Sequence, residues 1–158
     1  MGKDIRERLA GLGLKLPEAS APKGAYVPAV RSGALVFLAG QIPLTGGELT
    51  AVGRVGAEVS PELAKELSRQ CALAALAAAD AVVPLEAVTG VAKVVGYVSS
   101  APGFLGQASV VDGASELLLD VFGDAGGHAR SVVGLTVLPL DAPVEIEIVL
   151  EVAEDGTV

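Results

Sequence analysis

Tryptophan is absent from these 158 residues, and only two tyrosines and three phenylalanines supply aromatic rings. A chain that is still 51% hydrophobic must build its core from Val, Leu, Ile and Ala. Few rings also means no stacking platform of the kind that holds single-stranded nucleic acid. Cations are scarce as well: 11 Lys and Arg stand against 19 Asp and Glu, a formal charge of −8. Phosphate backbones are bound by clustered Lys and Arg, so no nucleic-acid partner is expected. The lone cysteine, Cys71, cannot close an internal disulfide, and nothing demands an oxidising compartment. One cysteine and one histidine cannot furnish an ordinary zinc site, and no acidic loop has calcium-binding spacing. Every apolar run is interrupted before 18 residues, and the charged start MGKDIRERLAGLGLKL lacks the apolar centre of a signal peptide. The expectation is a cytoplasmic protein with no metal, no cofactor and no membrane partner.

The length fits one domain spanning residues 1–158, with residues 1–23 as an N-terminal helix and connector. Ile5, Leu9 and Leu12 recur at helical spacing over residues 3–12, and Gly13 is a plausible stop. Residues 26–30 and 35–39 read as a hairpin around Arg31-Ser32-Gly33, followed by a bend at Gly40 and a turn at Gly46-Gly47. Ser60-Pro61-Glu62 is a helix start: a capping hydroxyl, a proline at the first helical position and an acid at the positive end. That helix should run to about Val82, with Leu63, Leu67, Cys71, Ala74 and Ala78 facing a sheet. Cys71 is then a buried spacer. Residues 88–98 are rich in valine and read as a strand, with Gly90 and Gly96 as bulge or close-approach positions. A second helix is expected over 108–122, with Val111, Ala114, Leu118 and Phe122 on its buried face. The order β-β-α-β-α-β-β after a small helix is α+β, helices packed on one face of a mixed or antiparallel sheet.

Residues 128–152 carry the least ordinary charge placement. Arg130 opens one apolar run; Pro139 and Pro143 flank a turn. A second run then alternates Val144, Ile146, Ile148, Leu150 and Val152 with Glu145, Glu147 and Glu151, the period-2 pattern of a half-buried strand. If these two strands pair, Arg130 and Glu145 share a neighbourhood, enough to hold a small carboxylate and move a proton. Read for pattern alone, the same glutamates are a solvated face and the arginine is a surface ion-pair partner. No Walker A motif, dinucleotide fingerprint or nucleophile elbow is present. Any chemistry is therefore light: acid–base work with water as nucleophile.

Gly24-x-Tyr26, Gly40-Gln41-Ile42-Pro43, Ala129-Arg130-Ser131, Leu138-Pro139 and Val144-Glu145-Ile146-Glu147 together resemble the Rid (YjgF-like) family, the reactive-intermediate deaminases, also labelled endoribonuclease L-PSP. The likeness runs from about Gly24 to Val152, and the N-terminal GLGLKLPE and the GYVSSAPGF loop look like a longer-chain subgroup. It implies a chorismate-mutase-like α+β subunit, a homotrimer with clefts between neighbouring subunits, and a carboxylate-bearing metabolite as ligand. Arg130 stands where the family grips the substrate carboxylate, and Glu145 where it positions water. Tyr26, the backbone at Gly40 and, less directly, Phe104 match the pocket wall. Val132 replaces the family's usual cysteine, which removes a thiol and keeps a backbone amide. His128 is expected at a surface turn. The implied activity is hydrolysis of enamines and imines to 2-keto acids and ammonia. The alternatives are a non-catalytic trimer that binds a small carboxylate in the same cleft and, ranked last against the acidic charge, a ribonuclease.

Overall fold

The computed structural model describes residues 2–154. The first helix, α1 (Gly2–Gly11), docks through Ile5 and Leu9, one turn apart and both buried. Arg6 fastens it from outside, reaching Asp80 at 2.8 Å and Glu86 at 2.6 Å. Leu12, expected to join that face, lies beyond the helix and is exposed.

Seven strands follow among the described residues: β1 (Ala29–Ser32), β2 (Leu35–Leu38), β3 (Leu44–Thr45), β4 (Glu48–Leu49), β5 (Val88–Ser99), β6 (Ala129–Leu135) and β7 (Val144–Val152). The two long helices are α2 (Pro61–Asp80) and α3 (Gln107–Phe122). Five strands form one mixed sheet in the order β1-β2-β7-β5-β6, and β3 and β4 make a separate small hairpin. The helices pack on one face, over a core of Val36, Val94, Ile146, Ile148 and Leu150. The α+β architecture is as the sequence implies. The β3–β4 hairpin was not anticipated; its strands are two residues each, too short to leave a periodic signal.

Ser60 caps α2 by accepting from the Leu63 amide at 3.1 Å, with Pro61 in the first turn. The buried face of α2 is rotated slightly from the one expected. Leu63 is exposed, and Ala64, Leu67, Ser68, Cys71, Ala72 and Ala75 are buried. Small residues let α2 and α3 approach closely. At Gly113 of α3 a Cβ would overlap the Lys65 carbonyl oxygen of α2. Gly96 of β5 likewise leaves room for Val111 of α3, whose Cγ1 would lie 2.7 Å from a Cβ there. The β5–β7 ladder shifts register between Val88 and Gly90 and again between Val91 and Lys93, so one irregularity adjoins Gly90, a bulge candidate in the sequence.

Two expectations are corrected. The first strand does not begin at Tyr26 but at Ala29, because Pro28 has no amide to donate to a ladder and Tyr26 sits in a bend. More consequentially, β6 and β7 do not pair. β5 lies between them, parallel to β6 and antiparallel to β7. Parallel neighbours need a crossover, and α3 supplies it between β5 and β6. Arg130 sits opposite Val94 of β5, whereas Glu145 sits opposite Tyr97. Three residues along a strand reverse the side-chain face and, with two strand spacings across, leave the two Cα atoms on the order of 14 Å apart. Arg130 is on the helix-covered face; Glu145 is on the other.

Candidate active site

Glu145 is the first outward-facing residue of β7, between the buried Val144 and Ile146. Its side chain enters a cavity of about 370 Å³ at the end of the sheet. Gln41 closes that end, its backbone exchanging two hydrogen bonds with Ile146 at 2.9 and 3.0 Å. The glycine before it has a structural reason: a Cβ at Gly40 would overlap the Glu145 carboxylate and lie 2.9 Å from its Cδ. Tyr26 forms another wall, its hydroxyl accepting from the Lys23 amide at 3.3 Å. The remaining lining includes residues 20–23 of the connector and Leu140. Leu140 and Asp141 both hold positive φ, 60° and 62°, in the short turn Pro139–Asp141. Paired left-handed non-glycine residues are costly backbone. The turn is tied down where the Gly53 amide donates to the Asp141 carbonyl at 2.9 Å.

The Glu145 carboxyl is held above its ordinary value, first by burial and then by the charge of Glu147. It has no hydrogen-bond or ion-pair partner among the described residues. Beside it on the same face, Tyr97 has its phenol pushed up by burial and by Glu147, which it approaches at 3.4 Å. Cys71 is fully buried, and its thiol is pushed well up by burial.

Arg130 occupies a different neighbourhood. Its Nη1 donates to Asp112 at 2.7 Å and to the Ser115 hydroxyl at 3.2 Å, both on α3. Ser115 lies 2.9 Å from His128 Nε2, and His128 Nδ1 lies 2.6 Å from the Gly126 carbonyl. A proton on Nδ1 completes the chain: histidine donates to the carbonyl, serine to histidine, arginine to serine. His128 is thus a half-buried support beneath Arg130, not only a turn residue. Nε and Nη2 of Arg130 have no partner among the described residues, so one edge of the guanidinium is free. Val132 points to the helix side and packs against the core, its backbone paired with Gly96. Phe104 packs over Gly56 and Gly106 in the loop before α3, and is not among the residues lining the Glu145 cavity.

Of the residues singled out from sequence, the structure gathers Tyr26, Gly40 and Glu145 in one cavity and places Arg130 and Val132 on the far strand. Sequence reasoning missed Asp112, Ser115 and the connector wall at residues 20–23. Asp112 and Ser115 lie three apart, on one face of a helix, but nothing local says that Arg130 crosses to them.

A family profile described as "YjgF/chorismate_mutase-like, putative endoribonuclease" matches residues 6–152. The chain belongs to the YjgF family. Protein TCP17 of Trypanosoma cruzi is 38% identical over 151 residues, covering 93% of each chain. The crystal structure of Atu1372 from Agrobacterium tumefaciens is 37% identical and superposes with a TM-score of 0.88, over 96% of this chain and 94% of that one. Escherichia coli TdcF, solved with bound serine, is 25% identical with a TM-score of 0.60, over 86% and 94% of the two chains. Among the described residues of this YjgF-family chain, no helix is long and apolar enough to cross a membrane, and no three His, Cys, Asp or Glu side chains gather as a metal site.

Proposed function

We propose that this chain hydrolyses reactive imines, and the enamines in equilibrium with them, to 2-keto acids and ammonia. The carrying observation is Glu145: a half-buried carboxylate, unpartnered among the described residues and held above its ordinary value in a cavity of ligand size. Such a group holds a water and takes its proton more readily than an ordinary surface carboxylate. The water oxygen bonds to the carbon of the protonated imine while one water proton passes to Glu145, giving a neutral carbinolamine. Glu145 returns that proton to nitrogen, the C–N electron pair leaves with ammonia, and the hydroxyl proton passes back to Glu145 as the carbonyl forms.

The substrate carboxylate falls to Arg130, whose unengaged edge suits a two-point grip. Because Arg130 and Glu145 lie on opposite faces of one subunit, the reading requires Arg130 from a second copy. The sheet face away from the helices supports association: Val30, Phe37 and Val133 stand 50%, 46% and 39% exposed on it. A homotrimer with sites at its clefts fits this, and sedimentation should find three times the 15.7 kDa subunit. Serine bound to TdcF supports a ligand of amino-acid size.

The test generates 2-aminoacrylate or iminobutyrate in situ with a PLP-dependent dehydratase and follows its decay. Acceleration by the native chain, lost in both Arg130→Ala and Glu145→Ala, is the expected result. A second reading, a non-catalytic binder of small carboxylates, is favoured by one observation: Arg130 already has Asp112 as counter-ion. A folded trimer that binds 2-keto acids yet accelerates no imine would establish it.

A further inference from the structure

Two acceptors stand against the same nitrogen of Arg130: Asp112 at 2.7 Å and the Ser115 hydroxyl at 3.2 Å from Nη1. The hydrogens on one nitrogen lie in the guanidinium plane. Two acceptors therefore fix that plane, where one would leave the group free to turn about a single bond. Asp112 alone is a loose anchor, because its side chain is 45% exposed. The direction in which Nε and Nη2 face a ligand thus depends on Ser115. A serine hydroxyl can donate or accept, and beside an arginine only acceptance helps. His128 decides which it does. Its Nδ1 lies 2.6 Å from the Gly126 carbonyl, which can only accept, so Nδ1 carries the proton. In the neutral ring Nε2, 2.9 Å from Ser115 Oγ, is then an acceptor and takes the serine proton. The lone pairs of Oγ are left for Arg130. The far end of the chain is fixed in turn: Gly126 is buried against α3, where a Cβ would overlap the Leu118 carbonyl oxygen.

We infer that His128 is a positioning residue of the site: through Ser115 it sets how Arg130 presents its free edge to a carboxylate. The inference rests on the reading of Arg130 as the carboxylate grip, which the hydrolase and the binder share. Without an acceptor at Nε2, the alternative for a helical serine is to donate to the carbonyl four residues earlier, here that of Val111. Ser115 makes no such bond among the described residues, so forming it moves Oγ away from Nη1. Arg130 then keeps Asp112 and loses its second point of support. One oriented hydrogen bond to a charged group corresponds to about tenfold or more in affinity. Because the grip holds substrate and transition state alike, the loss falls on KM and leaves kcat.

Substitutions of His128 in the full chain separate this role from simple support of the turn. His128→Ala removes both contacts. His128→Asn keeps a donor for Gly126 at the Nδ1 position and does not reach Ser115. His128→Gln reaches the Nε2 position with an amide oxygen and restores the acceptor. KM and kcat are measured on 2-aminoacrylate generated in situ, 2-ketobutyrate affinity by calorimetry, and assembly by sedimentation. The alanine and asparagine variants should raise both KM and the 2-ketobutyrate dissociation constant about tenfold, with kcat within about twofold of native. The glutamine variant should recover most of that loss. Ser115→Ala should show the same rise, and combining it with His128→Ala should add nothing further. A native-like KM in His128→Asn, a fall in kcat at unchanged KM, or additive losses in the double variant overturns the role of His128 while the grip stands. A native chain that neither accelerates imine decay nor binds 2-ketobutyrate overturns the grip, and this inference with it.

Discussion

Two glycine-to-alanine substitutions should separate the site from the scaffold. At Gly40 the three atoms nearest the added Cβ all belong to Glu145: it overlaps the carboxylate and stands 2.9 Å from Cδ and 3.1 Å from Cγ. Those are the outer atoms of a flexible side chain, and Gly40 is not in the left-handed region, so the backbone has no objection. Glu145 can swing aside at a rotamer cost of about 1 kcal/mol. Gly40→Ala should therefore keep its fold within about 1 kcal/mol of native. Its carboxylate is displaced by an ångström or more, a misplacement that costs on the order of 100-fold in rate. At Gly113 the same methyl meets the Lys65 backbone, overlapping its carbonyl oxygen and lying 2.9 Å from the carbonyl carbon. No rotamer relieves that, and α2 and α3 must part. Overpacking of this kind costs about 3 kcal/mol at the upper end of its usual range, against roughly 1 kcal/mol gained in helix propensity. A net loss of about 2 kcal/mol follows. Urea midpoints and imine turnover, measured on both variants at one protein concentration, should give opposite patterns. A fully active Gly40→Ala would refute the claim that Glu145 must occupy its observed position. A Gly113→Ala as stable as native would refute the close helix contact.

Other substitutions test narrower points. The Glu145 carboxyl is raised above 4.5, so the folded state binds its proton more tightly than the unfolded state. The destabilisation from its charge is then absent below pH 4.5 and grows as pH rises through the raised value. Glu145→Gln should thus be more stable than native at neutral pH, with the gap closing on acidification; an equal gap at pH 4 and pH 7.5 would contradict it. Asp112→Asn keeps an acceptor for Arg130 and Asp112→Ala removes it, so KM should rise several-fold more in the alanine variant, with kcat little changed in either. Ser60→Ala should lower stability by about 1 kcal/mol through loss of the α2 cap, read as a shifted urea midpoint.

The elements were legible where one local signal sufficed. Ser60-Pro61-Glu62 marked the start of α2 without help from the rest of the chain, and the alternation from Val144 to Val152 marked β7. Val111, Ala114, Leu118 and Phe122 face the core as their spacing required. The site was legible in part. Tyr26, Gly40 and Glu145 meet although more than a hundred residues of chain separate the first two from the third, and only their likeness to a family pattern joined them in advance. What periodicity could not carry was strand order. Two apolar runs joined by a short proline-bearing turn look like a hairpin, and no residue in either announces that β5 will lie between them. The Asp112–Arg130 pair and the connector wall were hidden for the same reason: both are products of long-range packing.

That strand order explains how the reactive groups are distributed. Because α3 crosses over to make β6 parallel to β5, β6 lies at the sheet edge, where Arg130 can face outward past Asp112. Because β7 pairs on the other side of β5 and its start is covered by the Gln41–Ile146 bridge, Glu145 is half-buried, which raises its carboxyl. A hairpin of β6 and β7 would have brought guanidinium and carboxylate together on one chain, where each would neutralise the other. Separating them leaves Glu145 with no ion-pair partner among the described residues and leaves Arg130 steadied by Asp112 through a single nitrogen. Under the proposed reading each chain therefore contributes two halves of different sites, and the carboxylate meets an arginine only across a subunit boundary with substrate between them. A dilution series should then show turnover per chain falling as subunits dissociate, while far-ultraviolet circular dichroism stays constant. Turnover that persists in the monomer would refute the division.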